Sequence, residues 1–187
     1  MDIFGYGLTD ENFGSVDVAQ KIFGSRNYFQ KVMEVEAALA SVQAELGIIP
    51  QAAADEINRK CDVNCLDIEE YSRQRALTEH HMVCLLRVYR DACEGDAGEY
   101  LHWGATTQDI VDTTVMLQIK QTYEVIGEKL QRVRTMCEAL AKEYRSVVMC
   151  GRTADQQAIP ITLGFKIAGW VDQLDRCIER MDDAKDR

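Results

Sequence analysis

Apolar residues recur every three or four positions through most of this chain. Between Asn27 and Leu46 they fall at Phe29, Val32, Val35, Leu39, Val42 and Leu46, which predicts one amphipathic helix. Gly47 then stands at a C-cap position, and Pro50 can open the next helix in its first turn. A short helix is expected over 51–60, followed by the loop CDVNCLD. The next predicted helix covers 68–92, with Leu77, His81, Leu85 and Val88 on one stripe, and CEGDAG ends it. No segment alternates convincingly with period two, so an all-α fold is expected and a sheet-based one is set aside.

From Thr107 to Tyr144 there is no Pro and a single Gly, Gly127. Ile126, Leu130, Val133, Cys137, Leu140 and Tyr144 follow the four-three spacing of a left-handed bundle seam. At 1.5 Å per residue such a helix is about 55 Å long. A globule of this size has a radius of gyration of about 16 Å, so the seam cannot be buried by this chain alone. After the loop SVVMCGRTADQQAI, Pro160 is expected to open a last helix with Leu163, Ile167, Trp170, Leu174 and Met181 on its seam, running to Arg187. The pattern divides into an N-terminal helical domain, 1–104, and the first part of a long-helix bundle domain, 105–187. Ending in mid-element, it reads as a fragment or as a protein completed by other chains.

Composition narrows the partners. At 47% hydrophobic and 28% charged, the chain is globular rather than disordered. A net charge of −10 disfavours nucleic acid and anionic membranes. No apolar run approaches a membrane span, and MDIFGYGLTDENFG lacks the basic and apolar regions of a secretory signal. The 7 Cys follow no disulfide framework and suit a reducing cytosol, so a cytoplasmic location is expected. Cys61 and Cys65 with His80 and His81 make a weak zinc spacing; free thiols are the plainer reading, and no metal is expected.

The chemistry concentrates in GEYLHWGATTQDIVDTT, Gly98–Thr114. Thr106, Thr107, Gln108, Asp109, Asp112 and Thr113 crowd the start of the long helix, more short polar groups than a core needs. Thr106 and Asp109 fit a capping box, with Asp109 reaching back to the Thr106 amide. Free first-turn amides and the positive end of the helix dipole would receive a carboxylate or phosphate. The plainer reading is a well-capped helix start.

Three stretches, EVEAALASVQAELGIIPQAA, HWGATTQDIVDTT and GRTADQQAIPITLGFKIAGW, closely resemble the N-terminal part of the fumarase/aspartase superfamily. The nearest likeness is to 3-carboxy-cis,cis-muconate cycloisomerases, with adenylosuccinate lyases next. The resemblance covers about the first two-fifths of a usual member. It implies a helical subunit whose long helices join those of three partners in a homotetramer, and active sites assembled from three subunits. The first site segment corresponds to Thr106, Thr107, Gln108, Asp109 and Asp112, with Thr107 where the family usually has Ser. The second corresponds to Gly151, Arg152, Thr153, Gln156 and Gln157. The third, a loop of the form S-S-x-M-P-x-K-x-N, is not among these residues, so this stretch alone is expected to be inactive. His81 matches the histidine of an H-D-V motif, although Met82 replaces the Asp; otherwise it reads as a core histidine. Ala154 stands where lyases of the superfamily commonly have His, which favours the cycloisomerase side.

Superfamily chemistry removes a proton beside a carboxylate and breaks or makes a C–N or C–O bond at the neighbouring carbon. The charge must be held by preorganised donors around that carboxylate. The resemblance therefore implies Thr106, Thr107 and Gln156 as carboxylate donors and Arg152 as positioner. Gln108, Thr153 and Gln157 would contact substrate, and His81 would act as general acid or substrate hydrogen-bonding group. Asp109 and Asp112 would be structural. A small polycarboxylate substrate and no cofactor are expected. The rival from another class is a non-catalytic module that oligomerises through the Ile126–Tyr144 seam.

Overall fold

A computed structural model of the chain describes residues 16–78 and 80–185. The reading of Met1–Gly14, and the extension of the last helix to Arg187, lie outside them. The described residues fall into two compact units that meet in sequence between Ile119 and Lys120.

The first unit is helical. It contains α1 (Val16–Phe23), α2 (Ser25–Glu45), α3 (Gln51–Arg59), α4 (Ile68–Leu77), α5 (His81–Ala92) and the opening turns of α6 (Thr107–Glu143). The three–four spacing in α2 puts Phe29, Val32 and Met33 on one buried face, against Ile57 of α3 and Met82, Leu85 and Tyr89 of α5. Burying each such side chain contributes about 1.5–3 kcal/mol. The stripe ends before the helix does: Val42 and Leu46 are exposed. Gly47 turns left-handed, φ 69°, and its neighbours close the end of α2 with bonds from Gly47 N to Ala44 O and from Ile48 N to Gln43 O.

The helix expected over 68–92 is two helices. Thr78 is extended, at φ −141° and ψ 143°, and its carbonyl accepts the Arg75 guanidinium at 2.8 Å. His80 then caps α5, its Nδ1 accepting from Val83 N. The supposed stripe is broken with it, since Leu85 and Val88 are buried while Leu77 is 79% exposed. Local capping overrode the periodicity, and no Gly or Pro marked the break.

The second unit contains the remainder of α6, a β-hairpin and α7 (Leu163–Lys185). The expected loop over SVVMCGRTADQQAI and the helix start at Pro160 are both corrected here. Strands β1 (Val148–Thr153) and β2 (Gln156–Thr162) pair antiparallel, and Pro160 lies in β2 opposite Cys150. Its missing N–H is tolerated in a two-stranded sheet beside an irregularity between Cys150 and Arg152. Gly151 sits at that irregularity, where a Cβ would come within 2.6 Å of Ile159 O. Ala154 and Asp155 form the two-residue turn, both with positive φ (47° and 59°), as a type I′ hairpin requires. α7 then starts against the end of α6: Leu163 N donates to Val147 O and Gly164 N to Tyr144 O. Arg134 of α6 pairs with Asp175 of α7 at 2.8 Å. On the predicted seam, Ile126, Val133 and Leu140 remain exposed, as does Trp170 of α7.

Candidate active site

The polar segment before α6 is built from the buried face of α2 outward. A short 3-10 helix over Ala97–Tyr100 leads into a loop in which His102 adopts φ 61°. That conformation is uncommon for a residue with a Cβ, and two tethers from α2 hold it. Glu36 Oε1 lies 2.6 Å from His102 Nδ1, and Gln43 Nε2 donates to Trp103 O at 2.7 Å. Positions 36 and 43 are seven apart, so both project from one side of α2. Glu36 is 1% exposed, and its Oε2 has no hydrogen-bond partner among the described residues. Burial pushes its carboxyl above the usual range, while the bond to His102 and its charge pull the other way.

α6 then begins at Thr107. Asp109 Oδ2 accepts from Thr106 N at 3.2 Å, and Asp109 N donates to Thr106 O at 3.0 Å. The carboxylate half of the capping box is therefore formed. The Thr106 hydroxyl takes no part in it, and neither threonine hydroxyl is engaged among the described residues. Thr106 is exposed and Thr107 half-buried. Gln108 Nε2 donates to Asp112 Oδ1 at 2.7 Å, and Thr113 Oγ1 to Asp109 O at 2.7 Å. Asp109 and Asp112 thus fix their own helix turn, while Thr106 and Thr107 are left with free donors beside unpaired first-turn amides.

His81 occupies the first turn of α5 rather than the middle of a stripe. Its Nε2 is 3.3 Å from Tyr28 Oη, and its ring stacks on His80 with centroids 6.3 Å apart. Half-burial lowers its pKa below the usual value, with His80 and then Arg75 adding to the effect. The ring is neutral near pH 7 and can accept a proton or a hydrogen bond. It makes no hydrogen bond or ring contact with Thr106, Thr107 or Gln108.

Arg152, Thr153, Gln156 and Gln157 lie on the hairpin of the second unit, all exposed. Arg152 pairs with Gln157 and Thr153 with Gln156, so the turn sets two cross-strand pairs on opposite faces of the ribbon. The Arg152 guanidinium has no ion-pair partner among the described residues. Thr106, Thr107, Gln108 and His81 thus belong to one unit, and the Arg152–Gln157 group to the other.

Sequence reasoning missed Glu36 and His102. The signal was a glutamate three residues after Met33 and four after Val32, on a face that is otherwise apolar. Its partner is 66 positions away, beyond the reach of any local pattern. No group of three His, Cys, Asp or Glu side chains among the described residues is arranged to hold a metal ion. Cys61 and Cys65 do not join the histidines: the thiol of Cys61 accepts from Gln30 and is pushed up by burial.

A family profile described as lyase matches residues 11–187. The chain is 42% identical over 178 residues to an adenylosuccinate lyase of Methanocaldococcus jannaschii, covering 95% of this chain and 38% of that protein. It is 40% identical over 176 residues to an N-acetyl-S-(2-succino)cysteine lyase of Enterococcus italicus, covering 94% of this chain and 38% of the relative. Among solved structures, β-carboxy-cis,cis-muconate cycloisomerase from Acinetobacter calcoaceticus superposes with a TM-score of 0.79 at 35% identity, over 89% of this chain and 40% of that one. The chain thus spans under two-fifths of the length of the curated relatives it matches.

Proposed function

The chain belongs to the lyase family, the fumarase/aspartase superfamily that its motifs resemble, and from that membership we propose that it carries part of a site for a small polycarboxylate. The observation that carries the reading is the pair of unengaged hydroxyls, Thr106 and Thr107, at the start of a 37-residue helix. Together with first-turn amides they offer donors to one substrate carboxylate without reorganisation. Gln108 flanks these donors as a substrate contact, and by the same resemblance Arg152, Thr153, Gln156 and Gln157 of the hairpin form a separate substrate-binding segment. His81, expected as a general acid or a substrate hydrogen-bonding group, serves here as the hydrogen-bonding group, because half-burial lowers its pKa and disfavours the charged form that a general acid needs.

The reaction we infer is β-elimination from a succinyl compound. A base takes the proton beside one carboxylate, and the electron pair of that C–H bond is first held on the carboxylate by its donors. It forms the new C=C bond as the C–N or C–S bond breaks, the electron pair of the broken bond leaves with the heteroatom, and a proton restores the neutral amine or thiol. The curated relatives named for succinyl-nitrogen and succinyl-sulfur substrates support this choice. A cycloisomerase acting on a carboxymuconate is the second reading, supported by Ala154 and by the cycloisomerase fold match. Exposed Ile126, Val133 and Leu140 support assembly into a homo-oligomer, a tetramer by analogy.

Ultraviolet absorbance separates these readings when the full-length protein, with the third site segment, is offered a succinyl-nucleotide, a succinyl-thioether and a carboxymuconate. Turnover of either succinyl compound but not the muconate is expected. Turnover of the muconate alone would replace the first reading by the second. No turnover, with no binding of succinate or fumarate, would leave a non-catalytic oligomerisation module.

A further inference from the structure

Tyr28 lies on the buried face of α2 and is 3% exposed, so its hydroxyl must find a partner inside the fold. Its one hydrogen-bond partner among the described residues is Nε2 of His81, 3.3 Å away and 53 positions along the chain. The two rings meet at a tilt of 49°, with centroids 6.1 Å apart. The direction of the bond follows from what each atom can do. A phenol has one hydrogen to give and lone pairs to accept with, whereas each nitrogen of a neutral imidazole does one or the other. Burial, and then the neighbouring Tyr71, push the Tyr28 hydroxyl above its ordinary pKa, so it keeps its hydrogen. With a hydrogen on Nε2 as well, the phenol would accept, and its own buried hydrogen would face no acceptor, a costly arrangement. Donation from Tyr28 to a bare Nε2 removes that cost. The single ring hydrogen of His81 then belongs on Nδ1, which has no hydrogen-bond partner among the described residues.

We propose that Tyr28 is a positioning residue: by donating to Nε2 it holds the ring hydrogen of His81 on Nδ1 and makes the neutral histidine a donor to a carboxylate of the bound substrate. The role rests on the reading of His81 as the hydrogen-bonding group of a polycarboxylate site. Which ring nitrogen carries the hydrogen is set by the bond the other one makes. A histidine side chain left to itself favours Nε2–H, so Tyr28 holds the form that is otherwise less populated. The sign suits an anionic ligand. A bare nitrogen turned towards a carboxylate sets two acceptors against each other, whereas Nδ1–H bonds to it without a positive ring. That difference counts here, because half-burial, followed by His80 and Arg75, disfavours the charged ring. The adjacent histidine is spent differently: Nδ1 of His80 accepts from Val83 N at 3.4 Å and closes the start of α5. A phenylalanine at 28 would fill the same core volume, and the hydroxyl adds the bond to His81.

The test is nitrogen-15 NMR of the full chain labelled at its 3 histidines, with the His81 signals assigned by their loss in H81N. At about pH 8, above the ordinary histidine range, the wild-type ring is expected to carry its hydrogen on Nδ1 and to show a bare Nε2. In Y28F the hydrogen should move to Nε2. A wild-type ring with its hydrogen on Nε2 would overturn the proposal, and so would a folded Y28F that keeps it on Nδ1. The wild-type spectrum decides the tautomer even where Y28F fails to fold. In parallel, succinate binding to the full-length protein, followed by calorimetry at the same pH, is expected to weaken about two- to tenfold in Y28F, the size of one hydrogen bond. In the H81N background, Y28F should cause no further loss. Equal succinate affinity in folded Y28F and wild type would also overturn the role. No succinate binding by the wild type would instead refute the carboxylate-site reading, and the ligand-facing part of this role with it.

Discussion

Gly164 marks the point where α7 begins against the end of α6, and replacing it with Ala tests the packing of the second unit. A Cβ built there lies 2.5 Å from Ala141 O, 2.5 Å from Arg145 Cα and 2.7 Å from Arg145 N. All three are backbone atoms, so no side chain can swing away. Ordinary contact needs about 3.4 Å or more, so the two helix ends must part by roughly 1 Å. That movement strains the bonds from Leu163 N to Val147 O and from Gly164 N to Tyr144 O, at 2.8 and 2.9 Å. Overpacking of this kind costs about 1–3 kcal/mol. For a unit this small, 1 kcal/mol lowers the melting temperature by about 4–8 °C. The control is Gly169→Ala on the same helix, where an added Cβ meets nothing within 4 Å. Helix propensity alone makes that change stabilising by about 0.5–1 kcal/mol. Thermal melts of both variants by circular dichroism should therefore move in opposite directions from the wild type. A Gly164→Ala protein that melts with or above the wild type would refute the close approach of the two helices.

Tyr89→Phe removes the bond from a fully buried hydroxyl to Ile57 O at 2.8 Å, and urea unfolding should show a loss of about 1–2 kcal/mol. Asp109→Ala deletes the acceptor for Thr106 N and should cost about 0.5–1 kcal/mol in the same assay, without changing the helix content seen at 222 nm by more than about one turn. His81 carries a pH dependence: its folded pKa lies below the usual 6.5, so on acidification the unfolded chain takes up the proton first. Its contribution is level above about pH 6.5 and is lost as pH falls through the window beneath it. His81→Asn should therefore reduce the difference between urea midpoints at about pH 5 and about pH 8; an unchanged difference would contradict the direction of the shift.

Helices α2, α3 and α6 were legible because one face of each is apolar at three–four spacing and their ends carry Gly, Pro or a capping Asp. The break between α4 and α5 was not, since a histidine cap and an arginine–carbonyl bond leave no compositional mark. The hairpin was hidden for a different reason. Nearly all of β1 and β2 outside Gly151 is at least partly exposed, so neither face imposes alternation, and Gly151 and Pro160 both read as breakers. At the candidate site, the polar run of 106–113 and the Asp109 cap could be read from spacing alone. The Glu36–His102 pair could not, because a contact across 66 positions exists only once α2 and the loop before α6 have met.

Arg152 and Gln157 owe their alignment to the length and handedness of the turn between them, and not to the side chains at its tip. The bend at Ala154 and Asp155 requires two left-handed backbones, which several small or polar residues can supply. The residue at 154 can therefore be exchanged, within what a left-handed backbone tolerates, while Arg152 and Gln157 stay in register. A scaffold of this kind separates the groups that are delivered from the bend that delivers them.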